Sequence, residues 1–232
     1  MTQLTTRTLG DLVTEIPARA DVFDRLGLDY CCHGQRPLAE ACAEASLDPS
    51  DVAAALNAVA TSASADADHP VEPAALADHI EATHHLYLHA ELPELTGLAD
   101  KVAAVHAERH PELVEVRRLV EEIRADLEPH LMKEERILFP AIRALVDGER
   151  GFAFGTVRNP IRMMSAEHDH AGELLAQLHT ITGGYAVPDD GCASYRSLYS
   201  RLQHLEADTH RHIHLENNVL FPAAISIETG ET

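Results

Sequence analysis

Apolar residues recur at three- and four-residue spacing along most of this 232-residue chain. That pattern marks helices that bury one face. From about Pro73 onward the runs are long. They predict one helix from about Pro73 to Val105, bent at Pro93, and a second from about Pro111 to Leu145, with an irregularity at Pro129. A glycine-rich turn, DGERGFAFGTVRNP, precedes a third helix over about Ile161 to Thr182, and a fourth runs from near Cys192 to about Phe221. Four long helices with short connections predict an antiparallel four-helix bundle.

Nearer the N-terminus the runs are short. TLGDLVTEIP starts at Thr8 and is stopped by Pro17, a second piece ends near Gly27, and a third begins after Pro37. DPSDVAAALNAV opens with Asp48 as a cap and Pro49 in the first turn. Residues 61–73, TSASADADHPVEP, are small and polar and read as a linker. The expected organisation is all-α: a small helical cysteine-containing domain over 1–60, a linker over 61–73, and the bundle over 74–232. Short helices bury little, so the small domain is expected to lean on the bundle or on a second copy, and a homodimer is the expectation.

Composition agrees with helices and narrows the partners. Aromatic residues are 4% of the chain, which disfavours a sandwich or barrel. The formal net charge of -20 argues against nucleic acid and anionic membrane surfaces and favours a cation. No basic segment followed by an apolar core opens the chain, and no apolar run approaches the ~20 residues of a membrane span. A cytoplasmic protein is expected, in which Cys31, Cys32, Cys42 and Cys192 do not form a disulfide network.

One stretch is written twice. HLMKEERILFP runs from His130 to Pro140 and HIHLENNVLFP from His212 to Pro222. His130 and His212 are 82 apart (212 − 130), as are Glu134 and Glu216, and Pro140 and Pro222. A step of 82 or 83 sends His168, in EHDHAGELL, back to position 86 or 85. His85 is there, with His84 as competitor. Seven and ten residues after His168 stand Leu175 and Leu178; the same steps from His85 give Leu92 and Leu95, but from His84 they give Glu91 and Glu94. His85 is therefore expected to face the core and His84 to face away.

Each His-x-x-x-Glu pair shares a helix side with leucines such as Leu127, Leu138, Leu205 and Leu220. Buried carboxylates beside buried imidazoles are costly unless something compensates them, and a metal compensates both. Four histidines and two glutamates (His85, His130, Glu134, His168, His212, Glu216) have room for two ions. Mixed imidazole and carboxylate ligation in a bundle suits iron or manganese better than zinc, calcium or magnesium. Asp126 and Asp208 also keep the 82-residue period, one turn before each His; they either accept the free imidazole N–H or are solvated. The remaining histidines, including His79, His106, His170, His204 and His214, are expected to be solvated or to support the ligands.

These six residues resemble the ligand set of a hemerythrin-like di-iron domain. Together with DYCCHG (Asp29 to Gly34), the chain resembles, over nearly its whole length, the bacterial iron–sulfur cluster repair di-iron proteins, the repair of iron centres family. The resemblance implies a hemerythrin-like bundle holding two non-haem, oxo-bridged iron ions with both glutamates bridging. It also implies repair of iron–sulfur clusters damaged by nitric oxide or peroxide, with damaged iron–sulfur proteins and small diatomics (NO, O2) as partners and the Cys31 and Cys32 thiols assisting. The family's usual Gly-Gly after the cysteine pair is His33-Gly34 here, which adds a metal ligand or is neutral. Two other readings use the same ligands: a di-iron nitric oxide reductase or peroxidase, and a hemerythrin-type oxygen carrier or sensor. Cys42 is read as packing and Cys192, near a helix start, as inert.

Overall fold

The computed structural model describes residues 2–60 and 69–230; most of the predicted linker, residues 61–68, lies outside them. The N-terminal part comprises α1 (Thr2–Thr5), α2 (Leu9–Glu15), a 3-10 turn (Pro17–Arg19), α3 (Ala20–Leu26), α4 (Leu38–Glu44) and α5 (Pro49–Ala60). Thr8 caps α2 by accepting the Asp11 N–H at 3.1 Å. Pro17 cannot continue that helix and opens the 3-10 turn instead. Leu9, Leu12, Phe23, Leu38 and Leu56 form a core that is completed by Ile213 of the bundle. The short helices thus bury their faces on the bundle itself.

The bundle has four rods. The first is α6 (Pro73–Ile80), a π-helical turn (Glu81–His85) and α7 (Leu86–His106). The second is α8 (Glu112–Lys133), a π turn (Glu134–Leu138) and α9 (Phe139–Val146). The third is α10 (Arg158–Ile181), which is unbroken, and the fourth is α11 (Ala193–Leu215), a π turn (Glu216–Leu220) and α12 (Phe221–Thr229). The rod of α7 packs on α8 and α11, and α10 closes the ring between them.

Two bends and two boundaries differ from the sequence expectation. Pro93 and Pro129 lie inside continuous helices. The irregularity falls instead at the repeated Glu-to-Leu-Phe segment, where the Phe139 N–H reaches back five residues to the Glu134 carbonyl and Phe221 does the same to Glu216. A proline ring collides with the carbonyl four residues back, and a widened turn moves that carbonyl aside. Pro140 and Pro222 then fall in the first turn of α9 and α12, where a missing N–H costs nothing. The fourth rod accordingly passes Phe221 and ends at Thr229. The third begins earlier than expected, at Arg158, because Pro160 also sits in a first turn.

No helix among the described residues is long and apolar enough to cross a membrane.

Candidate metal centre

Two apolar clusters fill the bundle, one around Leu88, Leu127, Leu175 and Leu205 and the other around Ile80, Leu138, Met164 and Leu220. On each rod the candidate ligands fall between a residue of one cluster and a residue of the other. The six therefore form a polar layer between two apolar ones. His85, His130, His168 and His212 are at most 2% exposed, and Glu134 and Glu216 are fully buried.

The layer splits into two groups that share both carboxylates: His85, His212, Glu134 and Glu216 on one side, and His130, His168, Glu134 and Glu216 on the other. His85 and His212 point their Nε2 atoms at each other at 3.2 Å, and His130 and His168 do so at 3.1 Å. Two nitrogens at right angles on one ion, each ~2.1 Å away, stand about 3 Å apart, so each pair has the spacing of neighbouring ligands. Both oxygens of Glu134 and Oε2 of Glu216 lack a hydrogen-bond partner among the described residues. Leaving buried carboxylate oxygens unpaired is expensive, and a cation is the group that would satisfy them. The residues present fit a dinuclear metal site.

The charges respond to one another. Burial opposes ionisation of Glu216, but the His212, His168 and His85 imidazoles outweigh it and hold the carboxyl well below the usual carboxylate range. Burial likewise opposes a charge on His130, yet the carboxylates of Glu134 and Glu216 push its pKa up to about 9. Burial wins at His212, which lies below its ordinary value.

The duplication reaches beyond the ligands to residues that the sequence reading passed over. His85 Nδ1 lies 3.1 Å from Glu135 Oε1, and His168 Nδ1 lies 3.1 Å from Asn217 Oδ1; Glu135 and Asn217 each follow a shared glutamate. Phe139 stacks on His85 with centroids 5.4 Å apart, and Phe221 stacks on His168 at 6.0 Å. This is why the repeat carries Phe in its Leu-Phe-Pro: each rod's phenylalanine braces an imidazole from a different rod. The signal was visible as the period itself, carried one residue past each Glu.

The aspartates do something else. His130 Nδ1 pairs with Glu167 at 2.8 Å, while Asp126 pairs with His170 at 2.9 Å. Asp208 Oδ1 pairs with His84 Nδ1 at 2.9 Å, not with His212. A carboxylate one turn back shares the ligand's side of the helix, but other rods bring closer partners. His84 does not face away into solvent: its side chain is 11% exposed and its ring stacks on His212 at 5.7 Å. Two histidines expected in solvent or in support are buried elsewhere. His214 meets Thr14 of the small domain at 3.2 Å, and His106 lies 3.1 Å from the Cys192 thiol.

The cysteine loop docks on the layer. The Asp29 carboxylate accepts the backbone N–H of Cys31 and Cys32 at 3.2 and 2.9 Å and so folds the loop. Cys32 Sγ lies 3.5 Å from the His168 carbonyl oxygen, and Asn217, the partner of His168, donates its amide to the Cys31 carbonyl at 3.3 Å. Asn218 donates to the same carbonyl at 3.1 Å. A Cβ on Gly34 would stand 2.4 Å from Asn218 Oδ1 and from the Tyr30 carbonyl, so only glycine admits this approach. His33 is exposed and pairs with Asp29 at 2.5 Å. The two sulfurs are 3.7 Å apart and unbonded. Their mutual hydrogen bond, together with burial, pushes the Cys31 thiol well above its ordinary value.

Cys42 packs in the small core as expected, but Cys192 is not the inert thiol the sequence suggested. It is exposed at the N-cap of α11, where the backbone N–H groups of Tyr195 and Ser194 hold it below the usual thiol range. Brief alkylation of the native protein at neutral pH is expected to label Cys192 before Cys31, read by peptide mass mapping; preferential labelling of Cys31 would contradict this.

Residues 76–224 match the family described as the hemerythrin HHE cation binding domain, and residues 5–60 match a domain of unknown function, DUF542. Fold and site thus define a helical-bundle cation-binding protein of the hemerythrin type. The iron–sulfur cluster repair protein YtfE of Escherichia coli O1:K1 / APEC is 36% identical over 227 residues, covering 95% of this chain and 97% of that protein. YtfE of Escherichia fergusonii gives the same values. The chain belongs to this family of iron–sulfur cluster repair proteins.

Proposed function

We propose that this protein holds two iron ions, with His85 and His212 on one, His130 and His168 on the other, and Glu134 and Glu216 shared. On this reading it uses them to repair iron–sulfur clusters damaged by nitrosative or oxidative stress. The observation that carries the reading is the pair of facing imidazole couples, 3.1 and 3.2 Å apart, around two buried carboxylates with unpaired oxygens. Donors of this mixed kind suit iron, and membership in a family of cluster repair proteins gives the centre a task. Bound iron would supply one-electron chemistry and positions open to a small ligand. The chain's own part is to fix three of the four rings from behind, through Glu135, Glu167, Asn217 and the two phenylalanines, and to keep the layer dry between leucines.

The thiol loop is the second element of the proposal. Asn217 touches the Cys31 carbonyl and His168 at once, so the loop and one ligand share a hinge point. The thiols are placed to receive or pass on iron as cargo beside His168.

The deciding experiment measures recovery of a cluster enzyme damaged by nitric oxide, with metal-loaded and metal-free protein compared. Loaded protein should restore activity and metal-free protein should not; no recovery with either rejects the repair reading. Cys31→Ser with Cys32→Ser is expected to keep two irons per chain, since all six ligands lie elsewhere, and to lose most of the repair. Full repair by that double variant would make the thiols bystanders.

A further inference from the structure

We infer that the two metal positions are unequal, and that the ion held by His85 and His212 is the exchangeable one, passing through the cavity beside His84. The inference rests on the dinuclear iron reading above and goes beyond it, since that reading treats the two halves alike.

The duplication supplies an internal control. His130 and His212 are counterparts, and so are the residues that precede His168 and His85, namely Glu167 and His84. In one half the Glu167 carboxylate accepts the Nδ1 side of His130 at 2.8 Å and is itself held by Lys133. In the other half that place is taken by an imidazole. The His84 ring runs parallel to the His212 ring but offset from it, with centroids 5.7 Å apart and planes 11° apart, and turns its own Nδ1 to Asp208 at 2.9 Å. With that nitrogen committed to Asp208, the imidazole does not stand in for the carboxylate that Glu167 offers His130. His212 Nδ1 accordingly has no hydrogen-bond partner among the described residues, although the side chain is fully buried. The other three rings each have a partner at Nδ1.

An acceptor behind a metal-bound imidazole fixes its tautomer and orientation and raises its basicity, and losing one typically costs 10- to 100-fold in affinity. The two glutamates are common to both positions and cannot set them apart. The difference therefore falls on the ion that His212 would hold.

A second feature lies on the same side. A cavity of about 440 Å³ opens between Val13 and Pro17 of the small domain and the bundle. His69, His79, His84, His214 and Asp208 line it, so His84 and Asp208 stand between it and the His212 ring. Arg211 also lines it, but its guanidinium is engaged by Asp21 at 2.5 Å. Imidazoles and a carboxylate whose Oδ2 is unpaired are suitable stations for a divalent iron ion in transit. In the opposite half it is the Cys31–Cys32 loop that lies against the layer, with Cys32 Sγ 3.5 Å from the His168 carbonyl oxygen.

The test uses full-length protein loaded with two ferrous ions per chain and mixed anaerobically with excess ferrozine, with release followed by absorbance. Two phases of equal amplitude are expected, with rates at least about tenfold apart. His84→Glu, made together with Asp208→Asn to avoid facing carboxylates, gives His212 the acceptor that His130 has, and should slow the fast phase while leaving the slow one alone. Glu167→Ala should accelerate the slow phase and leave the fast one alone. Circular dichroism verifies folding, and the Glu167→Ala arm decides by itself if the double variant does not fold. A single phase from protein that holds two irons overturns this inference and leaves the dinuclear reading standing. So does a fast phase that responds to Glu167→Ala. Protein that saturates at other than two irons contradicts the dinuclear reading itself, and this inference falls with it.

Discussion

Glu216→Gln is expected to empty the centre rather than halve it. Each histidine belongs to one pair, but each glutamate belongs to both groups. Removing one shared carboxylate takes a ligand and a negative charge from both ions at once. The layer is at most 2% exposed, so solvent is poorly placed to make good the loss. Iron content should fall from two per chain to well below one. Glu134→Gln should behave alike, because Glu134 too belongs to both groups. The contrast is with His85→Ala, which removes a ligand from one position and should leave about one iron, and with His84→Ala, which should leave close to two. Metal analysis on purified protein, with circular dichroism as a folding check, reads all four. Retention of one full iron by both glutamine variants would mean that the carboxylates do not bridge.

Metal uptake is expected to release protons and to tighten as pH rises. In the metal-free protein His130 has its pKa pushed up to about 9, chiefly by Glu134 acting against burial, so at pH 7 the ring is a cation. An ion needs the bare nitrogen and must displace that proton. Apparent affinity should climb about tenfold per pH unit for each proton displaced, between about pH 7 and 9, and level off above. For stability without metal the sign is reversed. A raised pKa stabilises the fold below the unfolded value of 6.5, and that contribution is lost as pH rises from 6.5 to 9, on the order of 3 kcal/mol. His212, held low by burial, contributes above 6.5 and loses its contribution as pH falls. Metal-free protein should thus melt highest near neutral pH, whereas loaded protein should gain up to pH 9. Calorimetric titrations in buffers of different ionisation enthalpy count the released protons. An affinity independent of pH would show that His130 is neutral before metal arrives.

The candidate ligands were legible because duplication left a period that can be counted. Four positions followed from an 82-residue spacing and two from a spacing one residue longer with leucines on one helix side, and the structure brings all six into one buried layer. Leu92 and Leu95, the residues that chose His85 over His84, are fully buried. Helical periodicity also gave the four rods, because an amphipathic stripe must lie along whichever face packs.

What stood behind the ligands was not legible in the same way. A helix turn places Asp126 near His130 along the chain, but Glu167 reaches that ring from another rod. The choice depends on how α8 and α10 pack, which no local spacing encodes. His84 shows the same limit: its face was inferred from its own helix, while Asp208 and His212 on α11 decide where its ring lies. The π turns were not read from the sequence: the second helix was expected to run through Leu-Phe-Pro to about Leu145 and the fourth to end at about Phe221. Only once Phe139 and Phe221 are seen bracing His85 and His168 does it become clear why the helix widens there and continues. The sequence by itself determined which residues face the core and which of them could bind a metal, since periodicity and residue chemistry are properties of single helices. The tertiary structure alone decided which candidate ligands stand together, which ring is left without an acceptor and where the thiol loop rests, since each is a contact between groups far apart in the chain and is set by packing.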